Sequence, residues 1–139
     1  MRILILCTGN SCRSQMAEAY LRHLMGDKWE IYSAGIEAHG LNSKMLQVLE
    51  EDGINTSSLI SQTIEEYKNE NFDYLITVCD NAKESCPYFA GHHKSIHFSF
   101  PDPAKTLGTE KEILESFRMV RDSIKDFCQK LIQEILKQN

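Results

Sequence analysis

Apolar and polar positions fall in blocks along this chain, and the period changes from block to block. Ile3-Leu4-Ile5-Leu6 is a continuous apolar run of strand length, the pattern of a strand covered on both faces. Residues 14–25 then carry Ala17, Tyr20, Leu21, Leu24 and Met25 at helical spacing, and Gly26 stops the pattern. A second strand is predicted over residues 29–34, ended by Gly35, and Asn42 or Ser43 caps a helix through Met45, Leu46, Val48 and Leu49 to Gly53. Residues 54–71 are polar, with a short helix expected near 64–67. An almost continuous apolar core marks residues 72–79 as a third strand, and residues 95–99 read as a fourth, broken by Pro101-Asp102-Pro103. The tail is the clearest helix: Ile113, Phe117, Val120, Ile124, Phe127, Leu131 and Ile135 recur three and four apart with charges between them.

Strands alternating with helices imply βαβ crossovers. The expected fold is a single three-layer α/β domain over residues 1–139, with a four-stranded parallel sheet flanked by helices. Ligands in such sheets bind outside the carboxyl ends of strands, near a topological switch point. Cys7, Cys79 and Asp102 all fall at or just after predicted strand ends, so one shared pocket is expected.

Composition narrows the function. Hydrophobic content of 42% and charged content of 25% are ordinary for a globular domain, and the net charge of −5 disfavours nucleic acid or an anionic membrane as partner. An anion must then be held by a local site. The opening apolar run is too short for a signal-peptide core and no stretch approaches a membrane span, so a cytoplasmic monomer is expected. Five cysteines make an odd number without export signals, which points to catalytic or metal-binding thiols over a disulfide framework.

The chemistry is concentrated in Cys7-Thr8-Gly9-Asn10-Ser11-Cys12-Arg13-Ser14, between the first strand and the first helix. Backbone N–H groups of such a loop, and the positive end of the helix dipole, form a cup for an oxyanion. Arg13 closes the cup with a planar fork. Cys7 stands at its mouth, where a thiolate is expected. Thr8, Gly9, Asn10, Ser11, Cys12, Arg13 and Ser14 are thus candidate oxyanion-binding residues. Cys79 and Cys86 suggest a relay: a nucleophile forms an adduct, a second thiol displaces it as a disulfide, and a third passes the disulfide outward. Zinc on Cys7, Cys12, Cys79 and Cys86 is the weaker reading, since no short Cys-x-x-Cys knuckle is present. Asp102, held between two prolines, is placed as a general acid. Cys128 reads as core, and the five histidines are assigned no role.

These residues resemble a known family. The loop, its strand–loop–helix setting and Asp102-Pro103 are similar to the low-molecular-weight protein tyrosine phosphatase fold. Residues 7–18, Tyr-Ser-Ala-Gly-Ile-Glu at 32–37, and Cys79 with Cys86 resemble more closely the thioredoxin-coupled arsenate reductases, over essentially the whole chain. Ala104 stands where the phosphatases usually carry a tyrosine. The resemblance implies attack of Cys7 on arsenate held by Arg13, with Asp102 protonating the departing oxygen. A Cys7–Cys79 disulfide with release of arsenite follows, then a Cys79–Cys86 disulfide reduced by thioredoxin. It further implies that Ser14 helps to ionise Cys7, that Asn10 braces the loop, and that no cofactor is tightly bound. Some relatives hold potassium through residues matching Asn10, Glu18 and Ser33, with a further Asp replaced here by Gln62. Weak phosphatase activity is compatible with the resemblance. The alternatives are a small tyrosine phosphatase whose extra thiols protect Cys7 from overoxidation, and a non-catalytic thiol sensor or oxyanion-binding module.

Overall fold

The computed structural model describes residues 1–79 and 94–138. Its elements, numbered in chain order, are β1 (Arg2–Cys7), α1 (Arg13–Met25), β2 (Glu30–Gly35), α2 (Ser43–Glu51), β3 (Tyr74–Thr77), β4 (Lys94–His97) and α3 (Glu110–Gln138). All strand pairings are parallel, in the order β2-β1-β3-β4. The four-stranded parallel sheet flanked by helices that the alternating pattern predicts is therefore present.

Ile3, Leu4, Ile5 and Leu6 have no exposed surface, because β1 has a strand on either side and helices against the sheet. The chain leaves β1 for β2 in one direction and reaches β3 in the other, so the carboxyl end of β1 is the switch point of the sheet. Cys7 is its last residue.

Local sequence explains most element ends. Asn42 caps α2, its side chain accepting from the backbone N–H of Lys44 and Met45. The short helix near residues 64–67 is a 3-10 turn at Ile64–Tyr67. Asp102 opens a second such turn, Pro103–Lys105, with its side chain accepting from Ala104 N–H. On α3 the buried face is Phe117, Val120, Ile124, Cys128, Leu131 and Ile135, spaced three and four apart. Phe127 lies at its margin and stacks on Phe98 and Phe100 instead, with ring centroids 5.1 and 5.5 Å away. Cys128 takes the inward position, and its thiol donates to the carbonyl of Ala17 on α1. Among the described residues no helix is long and apolar enough to cross a membrane.

Candidate active site

The loop from Cys7 to α1 is shaped by the segment that follows β2. Backbone N–H groups of Ile36, Glu37, His39 and Asn42 donate to the carbonyls of Cys7, Thr8, Gly9 and Ser11 at 3.3, 2.9, 2.9 and 3.0 Å. The carbonyl of Asn10 accepts from Gln15 Nε2 at 3.0 Å. Five successive carbonyls are thereby turned outward, which turns the loop amides into the cup. Asn10 sits in the left-handed region at φ 47°, a conformation that asparagine tolerates better than most residues. Gly35 makes the close approach possible: a Cβ there would lie 2.7 Å from Asn10 N and 2.8 Å from Thr8 O.

Helix α1 begins directly after the loop and has no side-chain cap, so its first amides add to the cup. Arg13 is fixed by a bond from NH1 to the carbonyl of Phe100 at 3.0 Å and by Asp102 Oδ2, 3.8 Å from NH2. Its Nε is buried without a protein partner, a donor whose desolvation an oxyanion would offset. The loop opens on a cleft of about 450 Å³ whose other walls are His39, Asp102, Ala104 and Lys105. Thr8, Gly9, Ser11, Cys12 and Arg13 line it with Cys7, whereas Asn10 and Ser14 lie behind it, fully buried.

Cys7 is 3% exposed, and its thiol is hydrogen-bonded to Cys79, whose Sγ also lies 3.2 Å from Thr8 Oγ1. The two residues expected to exchange a disulfide are thus side by side. Their pairing corrects the expectation of a ready thiolate. The hydrogen bond to Cys79, then burial, push the Cys7 thiol well above its ordinary range, against the opposing pull of Arg13 and of the Ser14 backbone N–H. Cys12, buried in the loop, is pushed up to about 12 by burial, so it behaves as packing. Burial likewise pushes Cys128 up to about 12. Cys86 lies outside the described residues.

Behind the loop, Asn10, Glu18 and Ser33 do come together. The backbone N–H of Gln62 donates to Asn10 Oδ1 at 2.9 Å, and this fixes the amide. Asn10 Nδ2 must then donate, to Ser14 Oγ at 2.8 Å and Ser33 Oγ at 2.9 Å. Ser33 donates to Glu18 Oε1 at 2.6 Å, and Arg22 Nε to Glu18 Oε2 at 2.8 Å. Gln62 Nε2 donates to Tyr67 Oη and to the carbonyl of Ser33. A potassium ion needs these oxygens turned toward it, yet both Glu18 oxygens are taken and Asn10 presents N–H. The donor set does not fit the ion, and the counter-charge to Glu18 is Arg22. Among the described residues no group of three His, Cys, Asp or Glu side chains is arranged to hold a metal.

His39, Lys105 and Arg22 were not legible as site residues. The only local signal for His39 is Gly9, whose missing side chain leaves room for the ring: a Cβ there would lie 2.3 Å from Nδ1.

The model of one protein family, low molecular weight phosphotyrosine protein phosphatase, matches residues 2–139. The chain is 47% identical over 122 residues to the arsenate reductase of Bacillus subtilis strain 168, covering 88% of each. It superposes on a solved arsenate reductase in the phosphate-binding state with a TM-score of 0.81 at 29% identity, over 96% of this chain and 98% of the other. The thioredoxin-dependent arsenate reductase of Corynebacterium glutamicum gives a TM-score of 0.68 at 25% identity, over 99% of this chain and 63% of that one.

Proposed function

Because the chain belongs to the low molecular weight phosphotyrosine protein phosphatase family, and because its loop nucleophile is paired with a second thiol, we propose that it reduces arsenate to arsenite and is regenerated by thioredoxin. The observation that carries this reading is the Cys7–Cys79 contact. A phosphatase needs one thiol at the cup, whereas a reductase needs a second within reach of the first.

The chemistry runs as follows. Arsenate enters the cup against the loop amides and Arg13. Cys7 forms an arsenic–sulfur bond, its proton passing to an arsenate oxygen, while an As–OH departs as water on a proton from Asp102. Cys79 then attacks the Cys7 sulfur. A Cys7–Cys79 disulfide forms, the arsenic–sulfur bond breaks, and its electron pair stays on arsenic, which leaves as arsenite. Cys86 attacks Cys79 and frees Cys7, and a thioredoxin dithiol reduces the Cys79–Cys86 bond by the same exchange. Relatives and neighbours named as arsenate reductases support the substrate, and the neighbour named as thioredoxin-dependent supports the reductant.

The test is NADPH consumption with thioredoxin and thioredoxin reductase, started by arsenate, for wild type, Cys79→Ser and Cys86→Ser. Sustained turnover in wild type and none in either variant is expected. No turnover in wild type, with aryl phosphate hydrolysed steadily in a parallel tube, overturns the reductase and makes the protein a phosphatase. Silence in both leaves a thiol sensor.

A further inference from the structure

One wall of the cleft carries a titratable group that the chemistry above does not use. His39 is held to the loop by its own backbone N–H, which donates to the carbonyl of Gly9 at 2.9 Å. Its ring stands over Gly9 with Nδ1 nearest the glycine, and it shares the cleft with Cys7, Arg13 and Asp102. The other ring nitrogen, Nε2, lies 2.6 Å from Glu37 Oε2. A carboxylate only accepts, so Nε2 carries a proton in both charge states of the ring. The proton that comes and goes is therefore the one on Nδ1, the nitrogen beside the cup.

We propose that His39, oriented by Glu37, is a proton-operated wall of the oxyanion cup: its imidazolium adds a second cation beside Arg13 and selects dianionic ligands. Histidine changes charge between pH 5 and 8, where such an effect would be felt. The charged and titratable groups that share its surroundings are Glu37 on its own segment, Cys7, Cys12 and Arg13 from the loop and the start of α1, and Asp102 and Lys105 from the turn after β4. Cys7 and Cys12 stay protonated through that interval, since burial raises both and the Cys79 contact raises Cys7 further. The sign follows: oxyanion affinity falls as pH rises and His39 loses its charge. By reciprocity, a bound oxyanion must raise the proton affinity of His39 by the same factor. The inference requires that the cup bind an oxyanion, and not that arsenate be reduced there.

The probe is sulfate, a dianion throughout, titrated calorimetrically into the full chain between pH 5.5 and 8.5. Wild-type affinity is expected to fall about five- to tenfold across this range, the size of one added cation near the cleft. His39→Gln should bind at the weak, high-pH level throughout, and Glu37→Gln should move the midpoint to lower pH. In wild type, the His39 ring signals followed by NMR should titrate at higher pH with saturating sulfate. A His39→Gln profile as steep as wild type, or a ring titration indifferent to sulfate, overturns the role of His39 while leaving the cup intact. Absence of sulfate binding in wild type overturns the cup itself, and with it the site reading on which this role rests.

Discussion

The hydroxyl of Thr8 and the thiol of Cys79 lie 3.2 Å apart although 71 residues separate them in the chain. Parallel pairing of β1 and β3, with Leu6 opposite Thr77, brings them together. This register delivers a second thiol to the first, and it sets the state of the nucleophile.

Removing Cys79 takes away the largest influence raising the Cys7 thiol, leaving burial opposed by Arg13 and the Ser14 amide. Cys79→Ser should therefore alkylate faster at Cys7 near neutral pH, with its iodoacetamide profile shifted to lower pH. Multiple turnover of arsenate should be lost by at least about a hundredfold while a first adduct still forms. An unchanged alkylation profile would show that the thiol pair does not control Cys7.

Gly35 touches backbone on every side: a Cβ would lie 2.3 Å from Glu37 O as well as close to Asn10 N and Thr8 O. None of these atoms can rotate away. Gly35→Ala should destabilise the protein by about 1–3 kcal/mol, the usual range for overpacking, and weaken oxyanion binding by distorting the loop. Urea unfolding and sulfate titration of the same variant measure the two effects. Loss of stability with normal sulfate affinity would separate the loop shape from Gly35.

Glu18 has 4% of its surface exposed, and its burial holds the carboxyl above the usual range, against the pull of Ser33 and Arg22. An acid whose pKa is higher in the folded state loses stability as pH rises through that pKa. Arg22→Gln removes the counter-charge and should cost about 1–3 kcal/mol at pH 8, with a clearly smaller deficit at pH 5, where Glu18 is closer to neutral. Exchange of sodium for potassium chloride at constant ionic strength should leave the wild-type unfolding midpoint unchanged. A potassium-specific rise would place a cation among Asn10, Glu18 and Ser33 after all.

Tyr20 is buried in α1, and its hydroxyl donates to Asp52 Oδ2 at 2.8 Å, while Lys125 of α3 lies 2.9 Å from the same oxygen. The bond from Lys125, then that from Tyr20, hold the Asp52 carboxyl below its ordinary range. A lowered acid stabilises the fold above its unfolded pKa and ceases to do so as pH falls through its folded pKa. Tyr20→Phe should cost about 1 kcal/mol at pH 7. The gap from wild type should narrow below about pH 4, since protonated Asp52 loses its charge-assisted partner. Equal deficits at pH 7 and pH 3 in urea titrations would remove Asp52 from the account.

Much of this architecture was legible residue by residue. The run at Ile3–Leu6, the glycine-containing loop and the periodic helix after it give β1, the cup and α1 without tertiary information, because each is a statement about neighbours in sequence. Asn42 capped the helix it was expected to cap, since capping joins a side chain to amides two and three residues on. The inward face of α3 was recognised up to one position, where Cys128 displaced Phe127. Periodicity places both near the seam, and only the aromatic contacts of Phe98 and Phe100 draw Phe127 to its margin.

What the sequence by itself determined is therefore the order of elements, the parallel α/β class, the oxyanion loop and the residue types able to react there. Only the tertiary structure decided that Cys7 is paired and protonated, that Arg22 balances Glu18, and that His39 stands over Gly9. The reason is physical. Hydrogen-bonded periodicity and turn geometry act over a few residues, and their signals survive in the linear pattern. Charge state depends on burial and on what lies within a few ångströms, and strand register brings such neighbours from tens of residues away.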